Sequence, residues 1–321
     1  MKHLIHKKHH PHLKKRAVLE LLGLFGLAAF IVIQRDVLHE SFITVLEVDL
    51  IWFVLLLSCY WTILPLTALS YRLITPKPER LRVKTTVLAH LAGAGPGRII
   101  PGGIGNLSVG AMHLKKTGLT IEQAIGVVVT NNIFGLLSNG ILLIGVLTIR
   151  PEILELIRSN VSSQQLLVAG GVLAGIIILL QWLMHARGVR KELNKASRQF
   201  KKVFFSFVRQ PKKVLGVTLI ALTISLVHAF MLDFSAFALG INLSIADALV
   251  AMSFGVVIGG LLPTPGGVGG AEAGITAALL VFGLSAAEAA SVAVLFRLAT
   301  YWQPFIPGTL AYMYLRERRL L

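Results

Sequence analysis

Glu272 and Arg297 have the clearest chemical potential in this chain, because each is an ionisable side chain set inside a long apolar run. Such groups are costly at bilayer depth and need a partner or a water-filled cavity. Glu272 follows the stretch PTPGGVGG at 263–270, in the first turn of a helix that restarts near Gly270. There it can serve the helix N-terminus, pair with a cation or carry a proton. Arg297 stands mid-span in VLFRLATYWQPFIPG, too deep to reach water comfortably. Pairing Arg297 with Glu272 keeps both groups in place, and a paired guanidinium still has donors to offer a phosphate oxygen.

A second glycine stretch, PGGIG at 101–105, matches PGGVG at 265–269. Twelve residues separate the first from Gly118-Leu119-Thr120, and thirteen separate the second from Gly283-Leu284-Ser285. The match predicts a repeat with a period of about 165 residues. With a one-residue insertion allowed, Asn132 stands where Arg297 stands in the other copy. The cation of the first copy is Arg98, just before its loop. Arg98, Asn106, Asn132, Glu272 and Arg297 are therefore the candidate transport residues, with interhelical hydrogen bonding the alternative use of the asparagines. Pro101, Gly102, Gly103 and Gly105 form the first loop, and Pro263, Pro265, Gly266, Gly267, Gly269 and Gly270 form the second. Proline ends the entering helix, and glycine permits reversal at positive φ and close backbone approach. The restarting helix presents unsatisfied N–H groups that suit an anion.

These residues need a membrane scaffold. The chain has 321 residues, 55% hydrophobic and only 14% charged, whereas soluble domains carry roughly a quarter charged. Apolar segments at about 17–33, 48–71, 121–148, 165–185, 214–240 and 287–314 are each long enough to span. Regions 85–117 and 246–282 are apolar but broken in the middle. The predicted fold is an all-α polytopic membrane protein with six full spans and two broken hairpins, about eight hydropathic segments in all. A basic arm, 1–16, precedes a single membrane domain, 17–314, whose halves are about 17–148 and 165–314, and a basic tail, 315–321, follows.

Charge sorts the loops. Segments 1–16, 72–84 and 186–213 carry six, five and ten Lys/Arg, and Arg316, Arg318 and Arg319 add to the tail. Segment 34–49 is acidic, and 241–248 holds only Asp247. The bias toward cytoplasmic Lys/Arg predicts that both termini are cytoplasmic and that the chain resides in the cell membrane. Three crossings per half then turn the second half upside down, giving an inverted repeat with broken helices meeting near the midplane.

The net charge of +16 falls in blocks between apolar runs, which argues against nucleic acid as the partner. A single cysteine, Cys59, excludes an intrachain disulfide. MKHLIHKKHHPH resembles a metal-binding tract in composition, but a basic arm on anionic headgroups accounts for it better. No phosphate loop, dinucleotide fingerprint, H-E-x-x-H or G-x-S-x-G is present, so no enzyme activity, cofactor or metal is expected.

IIPGGIG, GLTIEQAIGVVVTNN, LPTPGGVGGAEAG and LFRLATYWQPFIPG together resemble the transmembrane-region family named for lysylphosphatidylglycerol synthase, also called flippase-like. The resemblance runs over about 17–314, and Pro265, Gly267, Gly269, Glu272 and Arg297 fall on the family pattern. It implies movement of lipids or lipid-linked sugars between leaflets. Many relatives have a glutamate where this chain has Asn106, which sets the first loop apart. Two-part members add an aminoacyl-transferase domain that this sequence does not contain, so lysyl transfer is not expected of it. The expected partner is an anionic phospholipid or a lipid-linked phosphate, with a second copy or a lipid synthase as further partners. The alternatives are a secondary transporter of a small polar solute and a non-transporting scaffold for a lipid-modifying synthase.

Overall fold

The computed structural model describes residues 48–99, 104–160, 197, 200–261, 264 and 266–321. Among them every regular element is helical. In chain order these are α1 (Leu50–Ile74), α2 (Val83–Gly93), α3 (Ile104–Lys116), α4 (Ile121–Ile149), α5 (Pro151–Asn160), α6 (Pro211–Ala238), α7 (Ile245–Leu261), α8 (Gly270–Val281), α9 (Ala286–Arg297) and α10 (Phe305–Glu317). A further helical stretch covers 200–208. Helices α1, α4 and α6 are long and apolar enough to cross a membrane, and they match three of the predicted spans. The predicted spans 17–33 and 165–185 and the arm 1–16 lie outside the described residues. So do Pro101, Gly102, Gly103, Pro263 and Pro265.

The helix ends follow from local sequence. Asp49 caps α1 by accepting from the Ile51 N–H at 2.8 Å, and Thr75 is extended ahead of Pro76, which stops the helix. Gly118 and Gly283 hold φ of +90° and +88°, in the left-handed region that suits glycine. Each is followed two residues on by an N-cap: Thr120 with Gln123 for α4, Ser285 with Glu288 for α9. The two matched sequence triplets thus do the same structural job.

The predicted span 287–314 is not one helix. It divides into α9 and α10 around a turn of π-helix at Leu298–Trp302. Pro304 has no N–H to give the Thr300 carbonyl, so the α-helical ladder lapses there. The Gln303 N–H reaches back five residues to the Leu298 carbonyl at 2.8 Å. Helix α5 was not predicted either, since 149–164 reads as a balanced connecting segment; Ile153 buries its apolar side.

Helices α1 and α6 pack antiparallel. The Asp49 N–H donates to the Ala238 carbonyl at one end, and Gly216 meets Leu73 at the other. Trp52 stacks obliquely on Phe234 and Phe237 between them. Helices α2 and α3 form one hairpin, α7 and α8 a second; α2 packs on α10, and α7 on α4. In lipid the hydrophobic effect does not drive helices together, so close contact and polar links must. Ser70 donates to Asn131 at 2.6 Å, joining α1 to α4, and Ser253 donates to Asn139 at 2.8 Å, joining α7 to α4. Outward-facing Leu136, Leu137, Ile141 and Ile144 leave α4 with an apolar outer surface, as lipid contact demands.

Small residues close the second hairpin. A Cβ added at Gly274 would lie 2.7 Å from the Phe254 carbonyl oxygen, and one at Gly259 would lie 2.9 Å from the Ala271 Cβ. The Gly255/Gly259 spacing is therefore a helix contact. Gly274→Val should lower the thermal midpoint of the detergent-solubilised chain, through the ~1–3 kcal/mol typical of overpacking. Gly135→Ala serves as the control, since a Cβ there meets nothing within 4 Å. An unchanged midpoint for Gly274→Val would rule out so close an approach.

The charged segments separate by end. Lys77 donates to the Gly118 carbonyl, Arg80 lies against Gly118, and His113 contacts the Leu320 carbonyl at 3.2 Å. Val203 packs on Gly126 beside the α4 N-terminus. Segments 72–84, 115–118, 200–213 and 315–321 thus gather at one end of the bundle, opposite Asp49 and the α6 C-terminus.

Candidate functional site

The tip of the second hairpin is built by glycine. Gly266, Gly267 and Gly269 hold φ of +60°, +69° and +85°, so the chain reverses through backbone that side-chain-bearing residues avoid. Helix α8 restarts at Gly270, and Glu272 sits at its third position. One carboxylate oxygen accepts from the Gly269 N–H at 2.8 Å, which satisfies a helix-terminal donor. The other accepts from Arg297 Nε at 2.8 Å. Two of the three roles open to Glu272 from sequence, helix terminus and cation partner, are filled, one by each oxygen.

Arg297 extends from the last residue of α9 and also donates to the Gly266 carbonyl at 3.0 Å. It therefore ties the returning helix to the loop before it. The side chains of Arg297 and Glu272 are 12% and 17% exposed, so the pair is nearly buried yet not sealed.

The π-turn brings in a residue that sequence reasoning missed. Tyr301 lies against the loop so closely that a Cβ at Gly266 would fall 2.1 Å from its ring. The Arg297 guanidinium carbon lies over that ring, 4.6 Å from its centre. The Arg98 guanidinium carbon lies over the same ring at 4.8 Å. Arg98, from the 3-10 turn Pro96–Ile99 after α2, donates to the Thr300 carbonyl at 2.9 Å and to the Tyr301 carbonyl. These are carbonyls at the Pro304 break, and Arg98 supplies what the lapsed helix cannot. The tips of the two hairpins meet at Tyr301.

The electrostatics are lopsided. Glu272 neutralises Arg297, whereas among the described residues Arg98 meets only carbonyl dipoles and ring systems, with Tyr60 and His90 also facing it. Two cations and one carboxylate leave a positive charge uncompensated. A guanidinium held by neutral acceptors keeps its net positive charge, so an anion competing with those carbonyls would gain the ionic attraction they do not supply.

Asn106 lies inside the first hairpin, its backbone N beside Gly97, whereas Asn132 lies apart from the cluster. The Asn106 carboxamide abuts Gly93, where a Cβ would fall 2.0 Å from its oxygen, so Asn106 closes the first hairpin. Buried Gly105 precedes it. Asn132 is exposed on α4, and its neighbour Asn131 makes the interhelical bond. The position matching Arg297 in the first half is thus not drawn into the cluster.

A bundle of apolar helices with two broken hairpins meeting at buried charge defines an integral membrane protein. The family model described as the lysylphosphatidylglycerol synthase TM region matches residues 18–308. The chain belongs to that family, as its motifs indicate. Among curated proteins none matches the chain.

Proposed function

We propose that the protein moves an anionic phospholipid or a polyprenyl-phosphate-linked lipid between leaflets, as a flippase or scramblase without enzymatic activity. The observation that carries the proposal is the uncompensated Arg98 beside the Glu272–Arg297 pair, at the point where the two hairpin tips meet. A phosphate headgroup there would compete with the Thr300 and Tyr301 carbonyls for Arg98 while its tails stay in lipid. Glu272 is the first suspect for coupling to protons or cations.

An inverted repeat is the scaffold this requires, and the packing supports it. Exchanging α1 for α6, the α2–α3 hairpin for α7–α8, and α4 for α9–α10 turns each set of neighbours into another observed set. Thus α2 on α10 exchanges with α7 on α4, and α1 lies antiparallel to α6. The gathering of basic segments at one end supports six crossings with both termini in the cytoplasm and residence in the cell membrane.

Reconstitution into liposomes tests the proposal. Vesicles carrying labelled phosphatidylglycerol, phosphatidylcholine or a polyprenyl phosphate should show faster transfer with protein than without, and faster for the anionic lipids. Transfer no faster than in protein-free vesicles for every lipid would defeat it. Uptake of a small polar solute in its place would turn the assignment toward a solute transporter.

A further inference from the structure

At the basic end, away from the hairpin tips, the chain forms an elbow where stretch 200–208 meets α6. The stretch is amphipathic. Val203 and Phe207 are buried on one side, with Phe207 edge-on to Phe134 at 5.4 Å between ring centres, so the stretch is pinned against α4. On the other side Lys201, Lys202, Phe205, Ser206 and Arg209 form one open, exposed face of the stretch.

Its chemistry is that of a membrane surface. Lys201, Lys202 and Arg209 are exposed, and among the described residues none of them pairs with a carboxylate. Phe205 stands among these cations yet is 58% exposed, a poor position for an aromatic ring in water and a good one at the headgroup boundary. The Gln210–Pro211 junction then turns the chain into α6, which exposes Leu215 and Leu219 along its outer face. Along the chain Lys201, Lys202, Arg209, Lys212 and Lys213 surround the interfacial ring and precede the apolar stripe, the charge-then-apolar succession of a phospholipid's headgroup and tails.

We infer that this elbow binds an anionic phospholipid, its phosphate held by Lys201, Lys202 and Arg209 and its acyl chains lying along Phe205, Leu215 and Leu219. The lipid is a bound partner of the scaffold at a site separate from the Arg98–Tyr301–Arg297 cluster. The inference does not rest on the transport proposal.

Native mass spectrometry of the detergent-solubilised full chain can test it, with short-chain phosphatidylglycerol, phosphatidylcholine and inorganic phosphate as probes. Phosphatidylglycerol should bind in a salt-sensitive way, and phosphatidylcholine should not displace it. The K201Q/K202Q/R209Q variant should bind roughly 100-fold more weakly, as expected for three charges near a lipid surface. Arg98→Gln should keep this binding while losing any at the central cluster. If the triple variant fails to fold, Arg209→Gln and Phe205→Ser, both at exposed positions, repeat the measurement singly. Wild-type affinity in the triple variant, or in both singles, overturns the site. So does displacement of the lipid by equimolar inorganic phosphate, or loss of all lipid binding in Arg98→Gln.

Discussion

Arg98→Gln should slow anionic-lipid transfer in proteoliposomes by roughly 10- to 100-fold, the loss expected for one hydrogen bond to a charged group. The effect should fall on anionic lipids, because what is removed is the uncompensated charge of the cluster. Arg98→Lys keeps that charge but not the planar fork that spans the Thr300 and Tyr301 carbonyls, so it should give an intermediate rate. Both variants leave a carbonyl short of a donor at the helix break, at a cost of about 1–3 kcal/mol each. Thermal midpoints measured alongside separate that structural loss from the loss of transfer. Wild-type transfer in Arg98→Gln would show that the headgroup does not use this residue.

Breaking the neighbouring pair should act chiefly on stability. Arg297→Gln or Glu272→Gln alone leaves a nearly buried charge without its partner, which typically costs ~3–5 kcal/mol. The double replacement, Glu272→Gln with Arg297→Gln, removes both charges and should recover much of that loss. A double-mutant cycle in thermal or denaturant unfolding measures the coupling. Additive single effects would mean that the 2.8 Å contact contributes nothing. Transfer by the stable double variant then asks whether the pair also serves the lipid. Full activity would confine it to bracing the hairpin, whereas inactivity would assign it a place in transport.

These two predictions differ because Arg98 and Arg297 differ in surroundings, a distinction their sequence positions do not reveal. The sequence does disclose the pairing of Glu272 with Arg297, since two ionisable groups in apolar segments have few other ways to persist. It also discloses the hairpins and the glycine-then-cap triplets, because each is written in local residue types. Hydropathy fails at 287–314. It counts Pro304 as a minor departure from an apolar run, but the physical event there is a missing hydrogen-bond donor, and the loosened turn it produces is what presents Tyr301. Asn132 fails for another reason. Sequence alignment of two halves gives equivalence along the chain, while the direction a side chain takes depends on the helix's rotation against its neighbours. Helix α5 escaped notice because the charges of 149–164, Arg150 and Arg158 against Glu152 and Glu155, balance, and its buried face amounts to little beyond Ile153.

The π-turn has a consequence for evolution by insertion and deletion. It accommodates one more residue per turn than the surrounding helix does, and each residue of an α-helix turns the following ones by about 100°. Deleting a single residue between Leu298 and Trp302 would leave Pro304 still without an N–H, so the break would persist while the residues beyond it turned around the axis. Gly308, whose bare backbone now seats against Leu91 and Gly95, would face another direction, and a bulkier neighbour would meet α2 in its place. Lineages carrying this architecture should therefore tolerate changes of residue type in that turn far more readily than changes of its length.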